Sequence, residues 1–155
     1  MISDEIAILC GDPAHTRTYT EAFELSEEAV MMLKMAIPEI HVTNSLAAKE
    51  FYSTILGFTC VSSWRPDETK DDPCYMVFVR DGVRLHVTSF RDGALGTSVY
   101  VYVDDPDALH AEFARKGVER LGPVVDQTWK TREFGIADPD QNRIRFGQDT
   151  SGNST

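Results

Sequence analysis

The chain has 155 residues, of which 42% are hydrophobic and 26% charged, and its formal net charge at pH 7 is −10. This composition is typical of a soluble globular protein, and the length suits one domain with a sizeable core. The negative charge argues against nucleic acid or an anionic membrane as a partner. The apolar runs are too short for a membrane span. Three irregularly spaced cysteines and no recognisable secretory signal predict reduced thiols in a cytoplasmic protein.

Residues 1–35 do not follow the pattern of the rest of the chain, and we interpret them as a partly helical N-terminal extension. Ser26, Glu27 and Glu28 are a plausible helix start, because acids in the first turn complement the helix dipole. The apolar stripe Ala29–Leu33 follows. The extension is either an added helical arm or a poorly ordered leader.

Residues 36–92 are predicted to form a first βαβββ module. Its elements are a strand at Ile37–Thr43, a helix at about Leu46–Leu56, and strands near Thr59–Trp64, Tyr75–Arg80 and Val83–Phe90. The strands follow from apolar and polar residues in alternation, and Gly57 follows the helix where a left-handed cap is favoured.

Residues 96–148 are predicted to form a second module of the same kind, followed by a tail at 149–155. Its elements are a strand at Ser98–Val103, a helix at about Pro106–Lys116, and strands near Glu119–Val125, Thr131–Ala137 and Arg143–Gly147. Phe-Tyr-x4-Gly in the first module is echoed by Phe-x3-Gly in the second, which indicates an internal repeat. The prediction is one α+β domain, in which paired βαβββ modules form a curved mixed sheet around a cleft, with helices outside.

Strand alternation predicts which side chains face the cleft, because successive side chains point to opposite faces. The valines of Ser98–Val103 form a uniform apolar face, so Ser98, Tyr100 and Tyr102 take the other face. The same rule places the following side chains in the cleft: Glu39, His41, Arg84, His86, Thr88, Arg143 and Arg145. The cleft face is therefore lined by aromatic, His, Glu and Arg groups, as a ligand-binding site requires.

Several short motifs resemble the glyoxalase, bleomycin-resistance and dioxygenase superfamily, also called the vicinal-oxygen-chelate superfamily. In family order they are Ile-Pro-x-Ile from Ile37, Phe-Tyr-x4-Gly-Phe from Phe51, Asp-Gly-Val-x-Leu-His from Asp81, Tyr-Val-Tyr-Val-Asp-Asp from Tyr100, and the closing hairpin Trp129–Gln148. The resemblance covers residues 36–148. The hairpin, with Arg-Glu-Phe followed by Asp-Pro-x-x-Asn, looks most like the bleomycin-resistance branch.

The resemblance shows which residues of this chain would bind a metal ion, because the superfamily's metalloenzymes place four His or Glu ligands on the first and last strands of the modules. The corresponding positions here are Ile37, His86, Ser98 and Arg145. Isoleucine has no donor atom, serine is a poor ligand, and an arginine charge repels a cation. One histidine is too few ligands for a firm site. We therefore predict no metal and no cofactor, although Glu39, His41 and His86 on one face leave a displaced site open.

The resemblance to bleomycin-resistance proteins implies a homodimer that sequesters a planar antibiotic or metabolite, whether cationic or not, in crevices between subunits. The predicted ligand-binding residues are Trp64, His86, Tyr100, Tyr102, Trp129, Arg132 and Glu133. Each tryptophan could instead pack at a loop or dimer edge. Arginines near the cleft disfavour a strongly cationic ligand. Pro38 stands where such relatives begin an exchanged first strand, so we predict the Ile37-Pro38 segment at the dimer interface.

Three hypotheses follow. The first is the metal-free small-molecule-binding dimer. It is favoured over an enzyme because the sequence contains no catalytic motif such as a Gly-x-Ser-x-Gly elbow, a His-Glu-x-x-His motif or a phosphate loop. The second is a metal-dependent lyase, isomerase or dioxygenase of the same superfamily with displaced ligands. The third is a partner-binding module that uses the N-terminal helix.

Overall fold

A computed structural model describes residues 34–152, in which strands and helices alternate as two successive βαβββ modules. In chain order the elements are β1 (Glu39–His41), α1 (Ser45–Lys49) with a π-helical continuation (Glu50–Ile55), β2 (Thr59–Trp64), β3 (Tyr75–Arg80), β4 (Val83–Thr88), β5 (Ser98–Tyr102), α2 (Pro106–Arg115), β6 (Val125–Asp126), β7 (Thr131–Ala137) and β8 (Arg143–Asp149). The helix predicted in the N-terminal extension lies outside the described residues. None of the helices among residues 34–152 combines the length and the apolar character that crossing a membrane requires.

The strands form two four-stranded mixed sheets with the same order. Sheet A is β1-β4-β3-β2, and sheet B is β5-β8-β7-β6. In each sheet the first strand of the module runs parallel to the last one, and the other neighbours are antiparallel. The predicted α+β fold of paired βαβββ modules is confirmed, and its mixed strands are divided between two four-stranded sheets.

Both helices begin at a side-chain cap. The side chain of Asn44 accepts a hydrogen bond from the Ala47 N–H at 2.8 Å, and that of Asp105 accepts one from Ala108 at 2.9 Å. Pro106 occupies the first turn of α2, where its missing N–H costs nothing. These caps determine the residue at which each helix begins after its strand.

The helix of the first module carries one more residue than that of the second. Tyr52 and Phe113 are both fully buried, but the capping glycine follows five residues later at Gly57 and four residues later at Gly117. The π-helical segment absorbs the extra residue through the wider hydrogen bond from Leu56 N to Phe51 O at 2.9 Å. Both glycines have positive φ, +75° and +76°, as the cap prediction required.

One strand prediction differs from the structure. The strand expected at Glu119–Val125 is reduced to β6 and an isolated bridge from Leu121 to Ile136, because Pro123 has no N–H to give to a ladder. In the structure β1 pairs with β4 of its own chain, and the Pro38 carbonyl accepts a hydrogen bond from His86 N at 3.1 Å.

The apolar faces of both sheets and the helices share one core, in which the Phe113 ring lies 5.3 Å from that of Phe146. At its edge Arg80 joins the modules. Its guanidinium donates to Glu112 Oε2 at 2.9 Å and lies over the Phe113 ring, 5.9 Å from the centroid. Tyr52 Oη donates to Asp138 Oδ2 at 3.0 Å, and burial, followed by the charge of this carboxylate, raises the pKa of the tyrosine. These contacts fix the two sheets relative to each other.

Candidate ligand-binding faces

Sheet A has a polar face that lies opposite the core. Glu39 stands beside His86, and His86 stands beside Val77, so strand pairing places side chains of β1, β4 and β3 in one row. The next row holds His41, Thr88 and Tyr75. The prediction that alternation would bring Glu39, His41 and His86 together on one face is correct.

A chain of hydrogen bonds runs across this face. Tyr75 Oη lies 2.8 Å from Glu39 Oε2 and 2.7 Å from His86 Nδ1. His41 Nε2 lies 3.4 Å from the other oxygen of Glu39. Partial burial and the hydrogen bond to Glu39 raise the pKa of Tyr75 to about 12, so the phenol keeps its proton at neutral pH.

Trp64 stands at the rim of the same face. It is opposite Tyr75 in the β2–β3 register, and directly opposed residues share a face. Its ring stacks on Phe90, with 5.8 Å between centroids and 10° between planes, while 60% of the residue remains exposed. One face of the indole therefore packs on Phe90, and the rest of the side chain is open to solvent.

The polar face of sheet B presents tyrosines and arginines around one buried carboxylate. Tyr100 is opposite Arg145, and Tyr102 is opposite Gly147. Tyr100 Oη donates to Glu133 Oε2 at 2.9 Å, and this hydrogen bond crosses over β8. The Tyr100 side chain can pass over β8 only because residue 147 is glycine: a Cβ there would lie 2.0 Å from Tyr100 Oη. Partial burial, followed by the bond to Glu133, raises the pKa of Tyr100.

Glu133 is only 5% exposed although it lies on the polar face. Besides Tyr100, it accepts hydrogen bonds from Thr131 Oγ1 at 3.2 Å and Gln127 Nε2 at 3.3 Å. Arg145 Nη1 lies 3.9 Å away. A buried carboxylate needs such partners, so Glu133 organises this face and has little surface left for direct contact.

The polar faces of the two sheets each contain a hydrogen-bonded pair of one tyrosine and one glutamate, with the two residue types on exchanged strands. Sheet A joins a glutamate on its first strand to a tyrosine on its third, Glu39 to Tyr75. Sheet B joins a tyrosine on the first strand to a glutamate on the third, Tyr100 to Glu133. Each phenol–carboxylate pair crosses the middle of its sheet and holds the surrounding side chains in place.

Trp129 and Tyr102 are the most exposed aromatic residues of sheet B, at 60% and 71%. Trp129 stands at the tip of the β6–β7 hairpin, next to Lys130 with φ of 62°, and the turn is closed by Gln127 N to Thr131 O at 2.7 Å. Trp129 is thus outside the core, as the polar residues around it in the sequence suggested.

Arg132 lies on the opposite face from Glu133. Its guanidinium makes a two-pronged ion pair with Asp107, at 2.6 and 2.7 Å, and a third bond to Asp126 at 2.9 Å. These bonds tie β7 to β6 and to the start of α2. We therefore leave Arg132 out of the candidate faces. Tyr75 belongs to these faces although it was not among the predicted ligand-binding residues. Its alternation with the apolar Met76 and Phe78, both buried in the structure, was the available signal.

The residues at the superfamily's metal positions do not fit a metal ion. Of the four, only His86 offers a good donor atom, and Arg145 places a positive charge on the polar face of sheet B. Both oxygens of Glu39 already have partners on sheet A. Within residues 34–152 no group of three or more His, Cys, Asp or Glu side chains is placed to hold a metal ion.

Comparison with known proteins identifies the family. A family model described as glyoxalase superfamily protein matches residues 21–153. The chain therefore belongs to the glyoxalase superfamily, as its motifs indicated, and the match begins inside the predicted N-terminal extension. No curated protein sequence matches the chain.

Solved structures share the fold. TnmS3, an antibiotic binding protein from Streptomyces sp. CB03234, superposes with a TM-score of 0.63 at 22% identity, over 77% of this chain and 98% of that one. A bleomycin-binding protein complexed with bleomycin gives 0.62 at 20%, over 76% and 99%. The bleomycin-binding protein from bleomycin-producing Streptomyces verticillus, complexed with copper(II)-bleomycin, gives 0.57 at 28%, over 74% and 97%.

Proposed function

We propose that the chain is a metal-free small-molecule-binding protein that sequesters a planar antibiotic or metabolite. In this proposal it acts as a homodimer, and each crevice lies between the polar face of sheet A in one subunit and that of sheet B in its partner. One observation carries the proposal: the large aromatic side chains on or beside these faces are exposed in the single chain.

The exposure of these aromatic residues favours binding over a purely structural role. Trp64, Tyr102 and Trp129 are 60%, 71% and 60% exposed. Burial of an aromatic side chain lowers the free energy strongly, and aromatic residues are enriched where proteins contact partners or ligands. Exposed rings beside fixed polar groups suit a flat ligand, which stacks on the rings and hydrogen-bonds at its edge.

The charges of the faces favour a ligand that is not strongly cationic. Arg84, Arg143 and Arg145 all lie on the polar faces, whereas Glu133 is buried and Glu39 is engaged by Tyr75. Bleomycin is the ligand of two of the similar structures, and it is the first compound to test here. A panel of planar aromatic antibiotics of different charge should accompany it.

Trp129→Ala should weaken binding while leaving stability nearly unchanged. The residue is 60% exposed, so its truncation removes little core packing. Losing a stacking surface should cost on the order of 1 kcal/mol, or about fivefold in Kd. Calorimetric titration with the tightest ligand of the panel, together with a thermal melt, measures both effects. Leu46→Ala, which truncates an exposed leucine on α1, is the control. A large loss of stability with unchanged Kd would identify Trp129 as a packing residue.

The protein should be a dimer at micromolar concentration. Residues 34–152 of one chain do not cover its two polar faces, and in a two-fold pair each sheet A would be covered by the sheet B of the partner. Light scattering coupled to size exclusion measures the mass directly. A mass of about 17.4 kDa, that of one chain, would contradict the dimer.

The purified protein should carry no transition metal at one equivalent per chain. The physical reason is the donor set, in which Ile37 has no donor atom and Arg145 brings a repelling charge. Elemental analysis after purification without chelators decides the question. A molar equivalent of zinc, iron or manganese would favour the metal-dependent enzyme instead.

A further inference from the structure

We propose that His86 is a positioned hydrogen-bond acceptor, which selects ligands carrying a weakly acidic O–H group of the phenol class. Tyr75 and Glu39 are the positioning residues that hold it in this role. The inference rests on the proposed function for the existence of a ligand, and it adds the chemical group by which the polar face of sheet A recognises that ligand.

The hydrogen bonds of Tyr75 determine which nitrogen of His86 carries the proton. A phenol has one hydrogen to donate, and a carboxylate can only accept. The hydrogen of Tyr75 therefore points to Glu39, 2.8 Å away. The contact of 2.7 Å to His86 Nδ1 then requires that Nδ1 donate its own hydrogen to Tyr75. In the neutral imidazole, Nε2 is left as a bare acceptor.

The bare nitrogen has no partner within the described part of the chain. The only hydrogen bond of the His86 side chain there is the one from Nδ1. None of the fully buried side-chain nitrogens or oxygens among residues 34–152 lacks a partner, so these residues do not enclose Nε2. His110 differs, because its Nε2 is bonded to the Gly122 carbonyl at 3.1 Å and its ring packs on Phe134.

The surroundings favour a donor on a flat ring. Tyr75 makes an edge-on contact with the His86 ring, with centroids 5.4 Å apart, and Trp64 stands opposite Tyr75 on the same face. A phenolic ligand that stacks on Trp64 can direct its O–H to Nε2. A ligand of the same shape without a hydrogen would desolvate Nε2 and leave it unpaired, which is the basis of strong discrimination in polar sites.

The tautomer can be tested without any ligand. Long-range proton–nitrogen NMR spectra of the full chain at about pH 8, where imidazole is ordinarily neutral, should show His86 protonated at Nδ1. His86→Asn, in which the amide can still donate to Tyr75, assigns the signals by their loss. In Tyr75→Phe the His86 ring should shift towards protonation at Nε2, the form that free histidine prefers. Protonation of His86 mainly at Nε2 in the wild type would overturn the positioning role.

The selectivity is tested with 2-naphthol and 2-methoxynaphthalene, which share the planar ring but differ in the O–H. The wild type should bind 2-naphthol about five- to tenfold more tightly. The preference should fall to about one in His86→Asn and shrink in Tyr75→Phe, with Leu46→Ala unchanged. Equal binding of the two compounds, or binding of neither, would overturn the acceptor role. The antibiotic titrations judge the proposed function separately.

Discussion

Asn142→Ala should lower the free energy of unfolding by about 3–5 kcal/mol, the range for breaking a buried hydrogen-bond network. The residue is fully buried. Its Oδ1 accepts from the N–H groups of Gly96 and Thr97 at 3.0 and 2.9 Å. Its Nδ2 donates to the carbonyl of His41 at 2.9 Å and to Asp138 at 2.8 Å. Alanine would remove all four bonds and leave a void at a fully buried position, although Asp138 would keep its hydrogen bond from Tyr52.

Chemical denaturation of the variant and the wild type measures this loss. Asn44→Ala is the matched control, because that amide caps a helix through one exposed bond, and it should cost about 1 kcal/mol. A loss at Asn142 no larger than at Asn44 would contradict the stabilising role that we assign to the buried hydrogen bonds of Asn142. The Asp-Pro-x-x-Asn motif, by which the sequence resembled its family, would then lack a structural explanation.

Gly147→Ala should disrupt the polar face of sheet B. The new Cβ would lie 2.0 Å from Oη and 2.8 Å from Cζ of Tyr100. Tyr100 must swing away and break its bond to Glu133, which is nearly buried. We expect a loss of about 1–3 kcal/mol in stability, as for a buried group deprived of a partner, and a weaker affinity for the ligand.

Gly135→Ala is the matched control on the neighbouring strand of the same sheet. A Cβ at Gly135 meets its nearest neighbours at an ordinary 3.9 Å, so this change should be nearly neutral. Adding Tyr100→Ala to Gly147→Ala removes the clash with Tyr100 and leaves only the milder contact with Glu133 Cβ at 3.1 Å. The two changes should therefore cost less together than the sum of their separate effects. If the stability losses of Gly147→Ala and Tyr100→Ala were strictly additive, or if the two glycine variants lost equal stability, then Gly147 would not be needed for Tyr100 to reach Glu133.

Local rules were enough to predict the modules and their faces. Period-two alternation placed Tyr100 and His86 on polar faces, and glycine spacing predicted the helix ends at Gly57 and Gly117. The same alternation, applied to neighbours, separates Arg132 from Glu133, so the two could not both line one face. The ion pair of Arg132 with Asp107 joins residues 25 apart in sequence and could not be foreseen from either one.

The hydrogen-bond chain of sheet A depends on non-local pairing. Glu39 and Tyr75 are 36 residues apart, and they meet only because β4 lies between β1 and β3. The role of Gly147 depends in the same way on the strand order of sheet B, which brings Tyr100 over β8. Sequence alone indicated which residue types line the faces, whereas the topology determined which of them touch.

The central claim is that a ligand binds between sheet A of one subunit and sheet B of the other, and a mixing experiment tests it most directly. Trp64→Ala combined with His86→Asn disables the face of sheet A, and Trp129→Ala combined with Tyr102→Ala disables that of sheet B. Each variant alone should bind the best ligand of the antibiotic panel weakly. After unfolding and refolding together in equal amounts, half of the dimers are mixed, and each mixed dimer has one intact crevice. The account predicts recovery of roughly a quarter of the wild-type sites at wild-type Kd. No recovery on mixing would contradict it, because a crevice within one chain, or between two like faces, cannot be restored in this way.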